Sequence, residues 1–313
     1  MTNNNAPDSE DVKLPERRSN RPITIGHRIE FTVVYILTGF LRLLGVDAAS
    51  ALGGKFLQFV GPLIRPVSKR AEKNLAMIYP DWPKAKIRAV TKDVWENLGR
   101  TGAEFIHLDK IRAFGDQPRI ELVGKEKLDA IAACEKPVIF FTGHFANWEV
   151  LGTVLFDSGV HHGIVYRPAN NPLTDEFIIK RRGRIMSLFQ VPKGLRGGRA
   201  LVNALKSRRS LIILLDQKQN RGISVPFMGV PAMTAPAAAR MSLRHDAKLV
   251  PISVERLEGA HFRVTIKDAL DYVPTGKLSD DVYALMNKVN QSLEDDVRAR
   301  PGQWLWLHRR WKK

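Results

Sequence analysis

Cysteine is almost missing from this chain: one residue, Cys134, stands among 313. A disulfide framework and a cysteine-rich zinc site are therefore excluded, and no H-E-x-x-H pair offers a metal another home. The setting of Cys134, DAIAACEKP, reads as helix or loop with a buried thiol. No serine or cysteine occupies a G-x-S-x-G elbow, so a covalent acyl-enzyme has no obvious nucleophile. Internal repeats and long low-complexity tracts are also absent. Acidic residues are scarce, with 32 Asp and Glu against 49 Lys and Arg, a formal charge of +17. Such an excess calls for a polyanionic partner: nucleic acid, an anionic membrane, or a phosphorylated lipid or carrier. No nucleic-acid reader module accompanies the charge, which argues against the first.

Long hydrophobic runs are lacking as well. The most apolar stretch, residues 31–46 (FTVVYILTGFLRLLGV), has sixteen residues and carries Arg42. A helix of that length covers about 24 Å, short of the ~30 Å hydrocarbon layer. A second apolar stretch, 48–64, follows at once. Together they predict a membrane-associated helical segment over 29–64, better suited to lying in the interface than to spanning. A pair of buried core helices is the alternative. Residues 1–28 are polar and aperiodic and predict a disordered tail, without the layout of a signal peptide. Residues 65–313 then form one domain.

What the domain contains is alternation. Residues 66–108 read as helical, and after them β-rich runs interleave with helical stretches. Candidate strands are 119–124, 137–143, 163–167, 210–216, 248–256 and 261–268; candidate helices cover about 147–158, 173–188, 197–208, 234–245 and 279–299. This predicts an α/β fold, a central, mostly parallel mixed sheet flanked by helices. The short LEGA link between the last two strands predicts an antiparallel hairpin. Sites in such sheets form beyond the carboxyl ends of strands. That rule directs attention to Gly143–Glu149, Tyr166–Pro168 and Asp216–Gln217.

The richest of these is PVIFFTGHFANWEVLG. An apolar strand ends at Gly143, His144 follows, and a helix begins near Asn147. Glu149, in that helix's first turn, can fold its carboxylate back toward the loop. A histidine held by a carboxylate is a general base at neutral pH, and free N–H groups at a helix start can stabilise an oxyanion. The spacing alone is weakly specific; an N-cap role for Asn147 and core packing for Trp148 fit equally.

GHFANWE resembles the His-x4-Asp/Glu motif of bacterial glycerolipid-type acyltransferases. It looks most like the branch that adds secondary acyl chains to lipid A, the lauroyl/myristoyl-type late acyltransferases. KNLAMIYPDWP (73–83), VYRPANNP (165–172), LLDQKQNRGISVPFMG (214–229) and PGQWLWLHRRWK (301–312) resemble that family's blocks in order, so the likeness spans about residues 70–312. A related branch acylates phosphatidylinositol mannosides, and the sequence leaves it open. The resemblance implies transfer from acyl-carrier protein, a co-substrate, to a hydroxyl of a lipid A precursor at the cytoplasmic face of an anionic inner membrane, with no cofactor. It implies His144 as base, Glu149 as its partner, and Asn147 in a supporting role. Arg167 is a candidate for a phosphate or oxyanion, and Asp216 for holding Arg167 or His144, with Gln217 beside it.

Basic stretches at 180–184, 206–209 and 308–313 are candidates for lipid phosphates or the acidic carrier, naming Arg181, Arg182, Arg309 and Arg310; each also reads as a solvated face. Trp304, Trp306 and Trp311 suit either a membrane interface or a core. GLRGGRA (194–200) lacks P-loop spacing and reads as a flexible helix entry. His161 and His162 read as exposed loop residues. Two rivals remain from the chemistry: a membrane-associated hydrolase using the same histidine on water, and a basic lipid-binding protein without catalysis.

Overall fold

A computed structural model describes residues 22–134, 136–193 and 195–311. The expected disordered tail lies outside the described residues up to position 21, but residues 25–28 are helical, since a helix starts at Ile25 with the Thr24 side chain capping it. Gly194 of the 194–200 stretch and Lys312 and Lys313 of the last basic stretch also lie outside the described residues.

The chain starts with four helices: α1 (Ile25–Leu43), α2 (Val46–Val60), α3 (Arg65–Ile78) and α4 (Lys84–Glu104). There follow β1 (Ile120–Val123), α5 (Lys125–Ala133), β2 (Val138–Thr142), α6 (Val150–Asp157), β3 (His162–Tyr166) and α7 (Pro172–Ile185). Next come β4 (Gln190–Pro192), α8 (Leu195–Lys206), β5 (Ser210–Leu214), β6 (Ile223–Phe227), β7 (Val230–Thr234) and α9 (Ala237–His245). The chain closes with β8 (Lys248–Arg256), β9 (Phe262–Ile266) and α10 (Leu278–Ala299).

Seven strands form one sheet in the order β1-β9-β8-β2-β5-β3-β4. Every neighbouring pair is parallel except the β8–β9 hairpin, so the expected mostly parallel mixed sheet and its hairpin both hold. β2 is the apolar run VIFFT and is buried along its whole length, as a strand covered by helices on both faces must be. β6 and β7 make a separate antiparallel hairpin that the strand reading missed. Its turn residues Met228 and Gly229 both have positive φ, the conformation a two-residue hairpin requires. Pro226 faces Pro231 across it, and two prolines mask a strand signal.

The apolar N-terminal stretches part company. α2 packs into the body, burying Val46, Ala49, Ser50 and Gly54 against α4. The two helices cross where glycines meet: a Cβ on Gly99 would lie 2.1 Å from the Gly53 carbonyl oxygen. α1 buries none of its residues. Ile29, Val33, Ile36, Leu37 and Phe40 are all exposed on it, at the spacing of a helical stripe. α1 is held to the body by its edge: Arg42 ion-pairs with Asp109 at 2.6 Å, and Phe31 and Tyr35 meet Phe177 of α7 edge-on. No helix among the described residues is long and apolar enough to cross a membrane.

Two smaller expectations fail. Cys134 is exposed, because α5 ends just before it and it follows the helix's last turn at the surface. His162 is buried inside β3 with Nδ1 against the Val160 carbonyl, and burial pulls its pKa down to about 4; only His161 is exposed.

Candidate active site

Register explains why the site exists. β2 and β5 are parallel neighbours with Thr142 opposite Leu214. His144 and Asp216 each lie two residues beyond that pair, so two strand ends place them side by side although 72 residues separate them in the chain. The backbone ladder extends one step further, from Leu215 N–H to the Thr142 carbonyl at 2.9 Å. Gly143 leaves room for the approach: a Cβ there would meet the Asp216 Cβ at 3.2 Å and the Phe145 ring at 2.7 Å.

The result is a histidine on a buried carboxylate. His144 Nδ1 lies 2.7 Å from Asp216 Oδ1, and the His144 backbone N–H donates to Oδ2 at 2.8 Å. The Trp304 indole N–H also donates to Oδ2, at 2.9 Å. A carboxylate only accepts, so the imidazole carries its proton on Nδ1 and presents the Nε2 lone pair outward. The Gln217 amide nitrogen lies 3.2 Å from Nε2, in position to donate to it. Asp216 is wholly buried; burial alone would push its pKa up, but the His144 charge, the two hydrogen bonds from His144 and the His308 charge hold it well below the usual carboxylate range.

The loop between β2 and α6 is strained and pinned. Ala146 is a non-glycine residue at φ 42°, in the left-handed region. Its N–H donates to the Gln303 carbonyl at 2.9 Å. Its own carbonyl accepts from Asn97 at 3.0 Å and Thr101 at 2.7 Å. The C-terminal segment closes the other side: Leu305 N–H donates to the His144 carbonyl at 3.1 Å, and Phe145 and Trp304 form a bridge. Trp304, Trp306 and Trp311 are therefore core residues, not interfacial ones.

Glu149 does not take the place expected of it. Its carboxylate accepts both a 2.8 Å bond and a second, shorter one from the Arg182 guanidinium of α7, and a 3.2 Å bond from the Trp148 indole. The carboxylate on His144 is Asp216. The physical reason is where α6 starts: at Val150, after a turn over 147–149, so Glu149 precedes the helix and faces α7. Burial lowers and Glu149 raises the Arg182 pKa, with a net upward shift. Asn147 is fully buried; its amide donates to Glu104 at 2.9 Å and its carbonyl oxygen accepts the Glu149 N–H at 3.1 Å. It braces the turn rather than facing an open cavity.

His144, Glu149, Arg167, Arg182 and Gln217 line one recess of about 290 Å³, together with Trp148 and Lys193. Its remaining walls are apolar: Ile164, Val165 and Tyr166 of β3, Ile212 and Leu214 of β5, Met186 and Gly152. The other predicted arginines sit elsewhere. Arg181 ion-pairs with Asp109 and donates to the Ile106 carbonyl. Arg310 is fully buried, donating to the Met233 carbonyl at 3.0 Å and Thr234 Oγ1 at 2.8 Å with its guanidinium over the Phe227 ring. It faces no solvent and cannot meet a lipid phosphate; burial lowers its pKa to about 10. Arg309 is exposed on the surface. Sequence reasoning missed Lys193 and the bond from Trp304. A signal for the latter lay in the W-x-W alternation, which sends both indoles to one side.

A parallel sheet, a carboxylate-held histidine at adjoining strand ends, and a recess with basic and apolar walls define an α/β protein whose site can exchange a proton. Comparison with known sequences places it further: residues 21–313 match the bacterial lipid A biosynthesis acyltransferase family, and the chain belongs to that family. It is 28% identical to a lipid A biosynthesis acyltransferase of Haemophilus influenzae over 77% of this chain and 76% of that one. It is 27% identical to the lipid A biosynthesis palmitoleoyltransferase of Escherichia coli, over 81% and 82%, and 25% identical to the lauroyltransferase of the same organism, over 78% and 79%. The protein is thus an O-acyltransferase of lipid A biosynthesis.

Proposed function

We propose that this enzyme moves a fatty acyl chain from acyl-carrier protein to a hydroxyl of a lipid A precursor, a secondary acylation, with His144 as general base. The observation that carries the reading is the His144–Asp216 pair, 2.7 Å apart, opening on a recess whose far walls are apolar. An acceptor hydroxyl is a poor nucleophile at neutral pH and needs its proton removed as it attacks. Nε2 of His144 takes that proton while Asp216 stabilises the imidazolium that forms. The oxygen adds to the thioester carbonyl, the tetrahedral intermediate collapses, and the departing thiolate takes the proton back from Nε2. Atoms balance without an acyl-enzyme. The Ile, Leu and Met side chains of the recess take the hydrocarbon next to the thioester.

Glu149 and Arg182 act as a fixed ion pair in the wall beside His144, orienting Trp148, whose ring lies edge-on to the imidazole at 4.9 Å between centroids. The enzyme works at the cytoplasmic face of the inner membrane. The apolar stripe on α1 supports an interfacial seat, and a net charge of +17 supports an anionic surface. The test is the mass of lipid A from cells lacking the protein. Loss of one acyl chain is expected; an unchanged lipid A mass in those cells overturns the reading.

A further inference from the structure

The strand ends of this sheet form a row. β3 pairs with β4 in parallel, and Tyr166 stands opposite Pro192. Arg167 and Lys193 each follow that pair by one residue, and the Lys193 N–H donates to the Tyr166 carbonyl at 2.8 Å. Both side chains line the recess that holds His144. The register that sets His144 beside Asp216 thus sets one cation beside another, with backbones about 5 Å apart.

Neither cation has a partner among the described residues. The two carboxylates within reach are taken: Asp216 by His144 and Trp304, and Glu149 by Arg182 and Trp148. Three cations, Arg167, Arg182 and Lys193, face the recess against the single carboxylate of Glu149. Enclosure by the protein and, less strongly, the Arg167 charge push the Lys193 pKa down, with Asp216 acting in the other direction. Both residues are exposed at the edge of the recess, and two like charges at adjoining strand ends repel each other until an anion joins them.

We propose that Arg167 and Lys193 form a phosphate subsite, holding a phosphate carried by one of the two substrates. The inference rests on the acyl-transfer reading and adds to it. A phosphate oxygen meets a fork from Arg167 and a point charge from Lys193, both favourable to a dianion. The phosphate has two possible sources: the monoester on the lipid acceptor, or the phosphodiester of the carrier protein's prosthetic arm.

Steady-state kinetics of purified full-length wild type, Lys193→Met and Lys193→Arg tests this. The acceptor is used with and without its phosphate; the donor is acyl-carrier protein or acyl-N-acetylcysteamine, which lacks phosphate. Lys193→Met should raise one substrate's KM about tenfold or more while kcat stays within about threefold, and Lys193→Arg should restore it. If the acceptor is the source, the defect vanishes with the dephosphorylated acceptor. If the donor is the source, it vanishes with the truncated donor. A fall in kcat with both KM values unchanged overturns the proposal, as does an equal defect with every phosphate-free substrate. Failure of wild type to transfer from any donor would instead overturn the acyl-transfer reading itself.

Discussion

Asp216→Asn is the sharpest perturbation of the site. Asp216 accepts three hydrogen bonds, from the His144 backbone, His144 Nδ1 and the Trp304 indole. An asparagine keeps one acceptor oxygen and gains an NH2. Two obligate donors, a backbone N–H and an indole N–H, converge on Oδ2, so the amide oxygen must stay there. The NH2 then faces Nδ1 and forces the imidazole proton onto Nε2. The base is consumed: the nitrogen that should accept the substrate proton already holds one. A wrong-tautomer histidine costs on the order of 10⁴-fold in kcat where the same logic has been measured in a serine protease. We expect a loss of about 10³- to 10⁴-fold here. Stability should move far less. Two bonds survive as neutral ones at a cost of about 1 kcal/mol each, offset in part by removing a buried charge. Transfer of labelled acyl groups measures the first, and urea denaturation followed by tryptophan fluorescence measures the second. Activity within threefold of wild type in a folded Asp216→Asn protein would refute the tautomer argument.

Breaking the Glu149–Arg182 pair by Arg182→Met should destabilise the fold by about 3–5 kcal/mol, and a Glu149→Leu/Arg182→Met double variant should recover most of that in denaturant titrations without recovering activity. Gly99→Ala sets a Cβ 2.1 Å from the Gly53 carbonyl and should cost about 1–3 kcal/mol by parting α2 from α4, seen as a lower melting temperature. The pH dependence has a definite sign. The folded pKa of Asp216 is depressed, so its ionisation stabilises the fold above the unfolded value near 3.9, and the gain is lost as pH falls below that. Denaturation midpoints between pH 5 and 3 should therefore fall more steeply for wild type than for Asp216→Asn, by about 1.4 kcal/mol per pH unit at the acid end.

Much of this was readable from residues. The strands β2, β3, β5 and β8 announce themselves as buried apolar runs, and the rule that sites sit at strand carboxyl ends picked out His144, Arg167, Asp216 and Gln217, all brought to one place. What was not readable is long-range pairing. Glu149 is five residues from His144 and Asp216 is 72, yet strand register delivers the distant carboxylate while a turn before α6 carries the near one toward α7. Lys193 was invisible for the same reason: β4 is three residues long, too short to signal as a strand, so nothing marked its end. Arg310 looked like surface charge because its neighbours Arg309, Lys312 and Lys313 are basic; only the β6–β7 hairpin folding over it supplies the acceptors and the Phe227 ring that permit its burial.

The proposed role of His144 is to deliver an acceptor oxygen to a thioester. The direct measurement follows radiolabelled acyl groups from acyl-carrier protein, with purified wild type and His144→Ala, in the presence of a lipid A precursor and anionic vesicles. Label is expected in the lipid with wild type, with a loss of about 10³-fold or more for His144→Ala and equal vesicle binding by both. Label released as free fatty acid by wild type, or transfer by His144→Ala at the wild-type rate, would contradict it.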